Sequence, residues 1–177
     1  MKFLGVSILI GIFSLLSKFL GLGRVLVFAN RLGAGEEFDV YVAAFRLPDF
    51  IFNLLILGTL SVAFIPVLVG YLNRDREGAE KFTSTIFNFT LLLMSVFAVL
   101  GILLSGWFVR IIVPGFSEGQ QAQTVALTRI LMLSPLFFSL SSVLTAYLHS
   151  FKRFFLAAIA PLFYNIAIIA GVIFLYP

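Results

Sequence analysis

Five long apolar stretches, roughly residues 3–29, 38–72, 82–112, 124–148 and 154–176, leave this chain few folds to adopt. A hydrocarbon core about 30 Å thick takes about 20 mainly apolar residues of helix to cross, and each stretch reaches that length. Within a bilayer every backbone amide must be satisfied by protein, which leaves helices and closed barrels as spanning structures. Barrel strands alternate polar and apolar residues over about 10 positions, and these stretches do not alternate. The expectation is an all-α, polytopic transmembrane helix bundle of five spans, with residues 1–177 as one transmembrane domain. Composition agrees, since 61% of the 177 residues are hydrophobic and only 11% are charged, and a mean hydropathy of +1.12 is foreign to soluble domains.

The same composition removes several functions. The chain has no cysteine, so disulfides, thiolate metal sites and cysteine nucleophiles are excluded together. Its net charge of +4 is spread over helix ends and spans and forms no soluble basic patch, which argues against nucleic acid as a partner. One histidine and scattered acids do not make the clustered ligand set of a metal-dependent transferase, and no metal is expected. Lys2 followed by an apolar run has the look of a signal peptide, but the run is too long and carries Lys18 and Arg24 within it, so it reads as a retained first helix.

Charges inside the first two spans are the informative feature. On the first, Ser7, Gly11, Ser14, Ser17, Lys18, Gly21 and Arg24 fall within an arc of about 140° at 100° per residue. Small residues there suit close helix packing, but packing has no use for two cations. Arg24 lies near enough to the polar stretch 30–37 to snorkel; Lys18 lies deeper. The second span carries Asp39, Arg46, Asp49 and Asn53, of which Asp39, Arg46 and Asn53 recur every seven residues and share a face. Each such charge costs roughly 2.5–3.5 kcal/mol at the centre of a membrane helix, so it calls for a wet cavity, a ligand or an ion-pair partner, and Arg46 with Asp49 is the candidate pair. Pro48 has no N–H and clashes with the preceding turn, which predicts a kink beside the charges, and Gly58 offers a second hinge. Broken helices at charged depth line the binding cavities of transporters.

Basic residues set the expected topology. Lys2, Arg74, Arg76, Lys81, Lys152 and Arg153 cluster at one set of helix ends, against Arg31 and Arg110 at the other. The positive-inside rule then places the N-terminus in the cytoplasm. Arg129 reads as a snorkelling residue near the start of the fourth span, and His149 beside Lys152 and Arg153 is assigned no chemistry. An odd, five-span bundle with its charges confined to two helices looks like part of a larger protein, with further helices expected after Pro177.

The run SLLSKFLGLGR at 14–24, the RLGAG turn at 31–35, Asp39, AFRLPDF at 44–50, Gly58 and AFIPVL at 63–68 together resemble the opening of the MurJ/MviN family, the lipid II flippases of the MOP superfamily. Pro114-Gly115-Phe116, the run from Ala126 to Arg129, Ala160-Pro161 and Asn165 extend the resemblance along the whole chain. It implies a fourteen-helix, two-lobe fold around a cationic cavity, of which this chain matches the first five helices. Lys18 stands where the family usually has a cavity arginine, Arg24 is the matching arginine, Asp39 the matching acid, and Arg46 falls on a basic position. The family's paired arginines are replaced by Phe52 and Asn53, and its acid before Gly58 by Leu57.

The implied activity is translocation of lipid-linked peptidoglycan precursor by alternating access, without a cofactor, driven by a coupling ion or the membrane potential. The partners are then the lipid-linked diphosphate and the phospholipid membrane. A cluster of Lys18, Arg24 and Arg46 would meet the diphosphate, with Asp39, Asp49 and Asn53 beside it and Pro48 and Gly58 as hinges. The alternatives are a related exporter of another polyprenyl-linked glycan or of drugs, or a truncated fragment without activity. A cation-coupled drug exporter would place acids in its cavity, whereas the first two spans here are net basic.

Overall fold

A computed structural model of the chain describes residues 2–33, 35–57 and 64–175. Among these residues the chain is helical and without strands, as the apolar runs require. Its helices are α1 (Lys2–Leu32), α2 (Glu36–Phe52), α3 (Ile65–Leu72), α4 (Arg76–Ile112), α5 (Glu118–Leu131), α6 (Ser134–Ser150) and α7 (Phe154–Leu175), with a π-helical turn, Asn53–Leu57, following α2. Four helical stretches are long and apolar enough to cross a membrane: Gly11–Phe28, Arg76–Ile112, Glu118–Ser150 and Phe154–Phe174. The remaining expected span, 38–72, comprises α2, the π turn and α3; its proposed hinge Gly58 lies outside the described residues.

The chain separates into two compact units, Met1–Phe38 with Phe151–Pro177, and Asp39–Ser150. In the first, α1 packs along α7, with Phe13 and Phe155 meeting edge to face at 5.4 Å between centroids. Both helices present exposed apolar residues such as Phe19, Leu22, Leu26, Phe163 and Phe174. On membrane helices such a surface faces lipid or other protein.

The second unit is built on α4, which packs against α3, α5 and α6. Its 37 residues make a rod about 55 Å long, so its ends project beyond the hydrocarbon. Asp75 caps the start by accepting from the Glu77 amide at 3.0 Å, and Arg76 and Glu80 pair across the exposed first turn at 3.6 Å. Phe82 on α4 stacks with both Phe64 and Tyr71, at 5.6 and 5.3 Å. The central contact is tighter: a Cβ at Gly101 would overlap the side chain of the fully buried Met132. Glycine at 101 leaves room for the Met132 side chain to lie against α4.

The span expected at 124–148 begins earlier, because α5 starts at Glu118 within the segment that reads as a polar loop. A reciprocal capping box accounts for the start. The Gln120 amide donates to the Ser117 hydroxyl at 3.3 Å and the Ser117 amide donates to the Gln120 side-chain oxygen at 2.8 Å.

Candidate functional site

The residues of α2 divide into two faces. Val40, Ala43, Ala44, Leu47, Pro48 and Ile51 are buried, at the i, i+3, i+4, i+7 spacing of an apolar stripe. Asp39, Arg46, Asp49 and Asn53 are all exposed, within an arc of about 80° at 100° per residue. The heptad face expected from the sequence is therefore a real surface of this unit. Arg46 and Asp49 share it without forming an ion pair with each other among the described residues, so neither neutralises the other.

Pro48 lies on the buried face, and the α-helix continues past it to Phe52. The hydrogen-bond pattern changes one turn later, where the π turn begins at Asn53. The α-helical pattern thus ends about one turn past Pro48, and two side chains bear on this stretch. The missing N–H of Pro48 would have bonded the carbonyl of Ala44, four residues back. Thr128 on α5, itself buried, donates its hydroxyl to that oxygen at 3.3 Å and keeps the turn satisfied. Beyond Pro48, the Asn53 side-chain amide donates to the Asp49 carbonyl at 2.7 Å, serving an acceptor at the point where bonding passes from four to five residues back.

Phe52, where the resembled family has the first of two arginines, is half-buried and packs edge to face on Phe138 at 5.8 Å. Phe52 is thus a packing residue here, and Asn53 holds local backbone as well as lying on the exposed face.

In the first unit, the polar arc of α1 is used unevenly. Asn165 of α7 is buried, and its amide donates to the Ser17 carbonyl and hydroxyl at 3.3 and 3.4 Å and to the Pro161 carbonyl at 3.0 Å. Arg24 is half-buried, its guanidinium 5.6 Å from the Tyr164 ring centroid. That geometry steadies the arm by cation–π attraction while leaving its N–H groups to donate in the ring plane of the guanidinium. Lys18 and Ser14 are exposed.

The candidate residues accordingly fall in two sets, Lys18 and Arg24 in the first unit and Asp39, Arg46, Asp49 and Asn53 in the second. Sequence reasoning missed Tyr164, Asn165 and Thr128 as the residues that hold these faces. Arg129, expected to snorkel, is exposed and donates from Nε to the Ser105 hydroxyl at 3.2 Å. No group of three metal-binding side chains occurs among the described residues.

Apolar spanning helices, an Ala44 carbonyl left free by Pro48 and satisfied by a hydroxyl, and a charged face on α2 define a polytopic helical membrane protein with ionisable residues on its spans. Within that class, the sequence profile of the family described as lipid II flippase MurJ matches residues 28–177, and the chain belongs to this family. A lipid II flippase MurJ from Burkholderia cenocepacia is 33% identical over 171 residues, covering 93% of this chain and 33% of the relative. The protein of that name from Thermosipho africanus is 32% identical over 176 residues, covering 97% of this chain and 35% of the relative. The chain therefore spans about a third of the length of these relatives.

Proposed function

We propose that this chain forms the opening helices of a flippase that carries the lipid-linked diphosphate of peptidoglycan synthesis across the bacterial inner membrane, with its N-terminus in the cytoplasm. The reading rests on family membership over residues 28–177 together with one physical observation, the unneutralised charged face of α2. A diphosphate headgroup with a long apolar tail needs cations in a water-filled cavity while the tail stays in lipid. Lys18, Arg24 and Arg46 supply those cations, and Asp39, Asp49 and Asn53 contact the sugar and tune the local charge. Pro48 and Gly58 let the second span bend as the cavity opens to each face in turn. The protein is a transporter without a resident cofactor, completed by helices beyond Pro177.

A second reading has its own support. With Phe52 packed on Phe138 and Asn53 bonded to the Asp49 carbonyl, one of the family's cavity cations is absent, which suits a different polyprenyl-linked glycan. Complementation separates the two. The full-length protein should restore growth to a strain depleted of its own lipid II flippase; membrane insertion at normal abundance without growth would favour the other glycan.

A further inference from the structure

A groove of about 800 Å³ runs between the end of α4 and α5 in the second unit, lined among others by Gly106, Arg110, Glu118, Gln121 and Arg129. It belongs to none of the candidate cavity residues. Two of its lining residues are arginines and one is an acid, and Glu118 lies outside ion-pair distance of both. The groove is therefore a net cationic site.

Its arginines are prepared for an anion in different ways. Ser105 accepts from Arg129 Nε at 3.2 Å and donates its own hydroxyl to the Ile102 carbonyl at 2.8 Å. This chain fixes the Arg129 arm by its Nε and leaves the two terminal nitrogens to bind a ligand, the arrangement that suits bidentate phosphate recognition. Arg110 is exposed in the last turn of α4, five residues beyond Ser105 and so about 7.5 Å further along the axis. Both arms reach into one headgroup-sized space.

The rim of the groove identifies the kind of anion. Val109 of α4 and Val125 of α5 are its apolar walls, and Trp107, next in sequence to the lining residue Gly106, is 66% exposed. Trp107 is one helical turn from Arg110, at the end of α4 far from Arg74, Arg76 and Lys81. An exposed tryptophan beside arginine, where an apolar rod gives way to the polar Pro114–Ser117 connection, marks the membrane–water interface. A soluble anion would have no use for apolar walls on both sides; a phospholipid would lay its acyl chains along them.

We infer that the Arg110–Arg129 groove binds the phosphate of an anionic phospholipid, with Arg129 as the fixed fork and Arg110 as the mobile second cation. The ligand is a component of the bilayer, distinct from the transported lipid.

Trp107 is the only tryptophan in the chain and lies beside the groove, so it reports occupancy directly. The chain is reconstituted in phosphatidylcholine nanodiscs containing either brominated phosphatidylglycerol or brominated phosphatidylcholine, and quenching of Trp107 is titrated. Half-quenching should need about fivefold less of the anionic lipid, the enrichment that one basic side chain near a membrane surface supplies. Arg110→Gln should reduce the preference, and Arg110→Gln with Arg129→Gln should remove it at unchanged helical content. If the double variant loses helicity, Arg110→Gln alone decides, because its side chain is exposed. Inorganic phosphate at constant ionic strength should leave the preference intact. Equal quenching by the two lipids, a preference untouched by Arg110→Gln, or its erasure by inorganic phosphate would each overturn the assignment.

Discussion

The Thr128 hydroxyl donates to the Ala44 carbonyl oxygen at 3.3 Å, the acceptor that Pro48 deprives of its helical partner. Thr128 and Ala44 are both essentially inaccessible, so the bond has no water to replace it, and an unmet buried carbonyl costs about 1–3 kcal/mol. Thr128→Val keeps the shape and removes the donor. It should destabilise the protein by about 1–2 kcal/mol in a thermal melt. On a Pro48→Ala background, where the backbone N–H returns, the same change should cost clearly less; strict additivity in the double-mutant cycle would refute the relationship.

Gly101 should tolerate no large side chain. Gly101→Leu collides with Met132 at the centre of the second unit and should cost about 1–3 kcal/mol or more. Gly101→Leu combined with Met132→Ala should recover part of that loss. Equal stability of Gly101→Leu and the unmutated protein would show that this contact is loose.

Asn165 joins α7 to α1 through Ser17. Interhelical bonds of this kind are worth about 0.6–2 kcal/mol in membranes, so Asn165→Leu should lower the melting temperature of the purified protein. Ser17→Ala should lower it less, since the Ser17 carbonyl remains as an acceptor.

Orientation can be read with cysteines, because the natural chain has none. Asn73 and Gly119 are exposed and lie beyond opposite ends of α4. Cysteine at Asn73 should be protected from an impermeant reagent in intact cells, and cysteine at Gly119 should label. Gly119 serves better than its neighbour Gln120, whose side chain closes the capping box. Labelling of both from outside would refute the proposed topology.

Much of this fold is written as periodicity. The charged face of α2 was legible because Asp39, Arg46 and Asn53 recur every seven residues, and a helix brings such positions together whatever surrounds it. The spanning helices follow from length and hydropathy alone. The π turn at Asn53 was not legible, since Pro48 advertises a break where it stands and says nothing of the remote hydroxyl that repairs it. Thr128 lies 84 residues from Ala44 in the chain, and no local pattern announces that bond. The early start of α5 was within reach: Ser117 followed three residues later by Gln120 is a capping signature, hidden inside a polar stretch that resembles a loop. The Arg24–Tyr164 contact joins opposite ends of the sequence and depends on α1 packing along α7.

Arg24 carries the most direct test of the proposed transport role. Its guanidinium is steadied over Tyr164 without an acidic partner in the contacts described, as a phosphate-binding arm requires. The measurement is growth of a flippase-depleted strain on the full-length protein carrying Arg24→Ala or Arg24→Lys, with membrane abundance quantified in parallel. The account predicts lost growth for Arg24→Ala at unchanged abundance and partial growth for Arg24→Lys, which keeps the charge but not the planar fork. Full growth on Arg24→Ala, at equal or higher abundance, would contradict a cavity role and leave Arg24 as a half-buried charge whose removal relieves a desolvation cost.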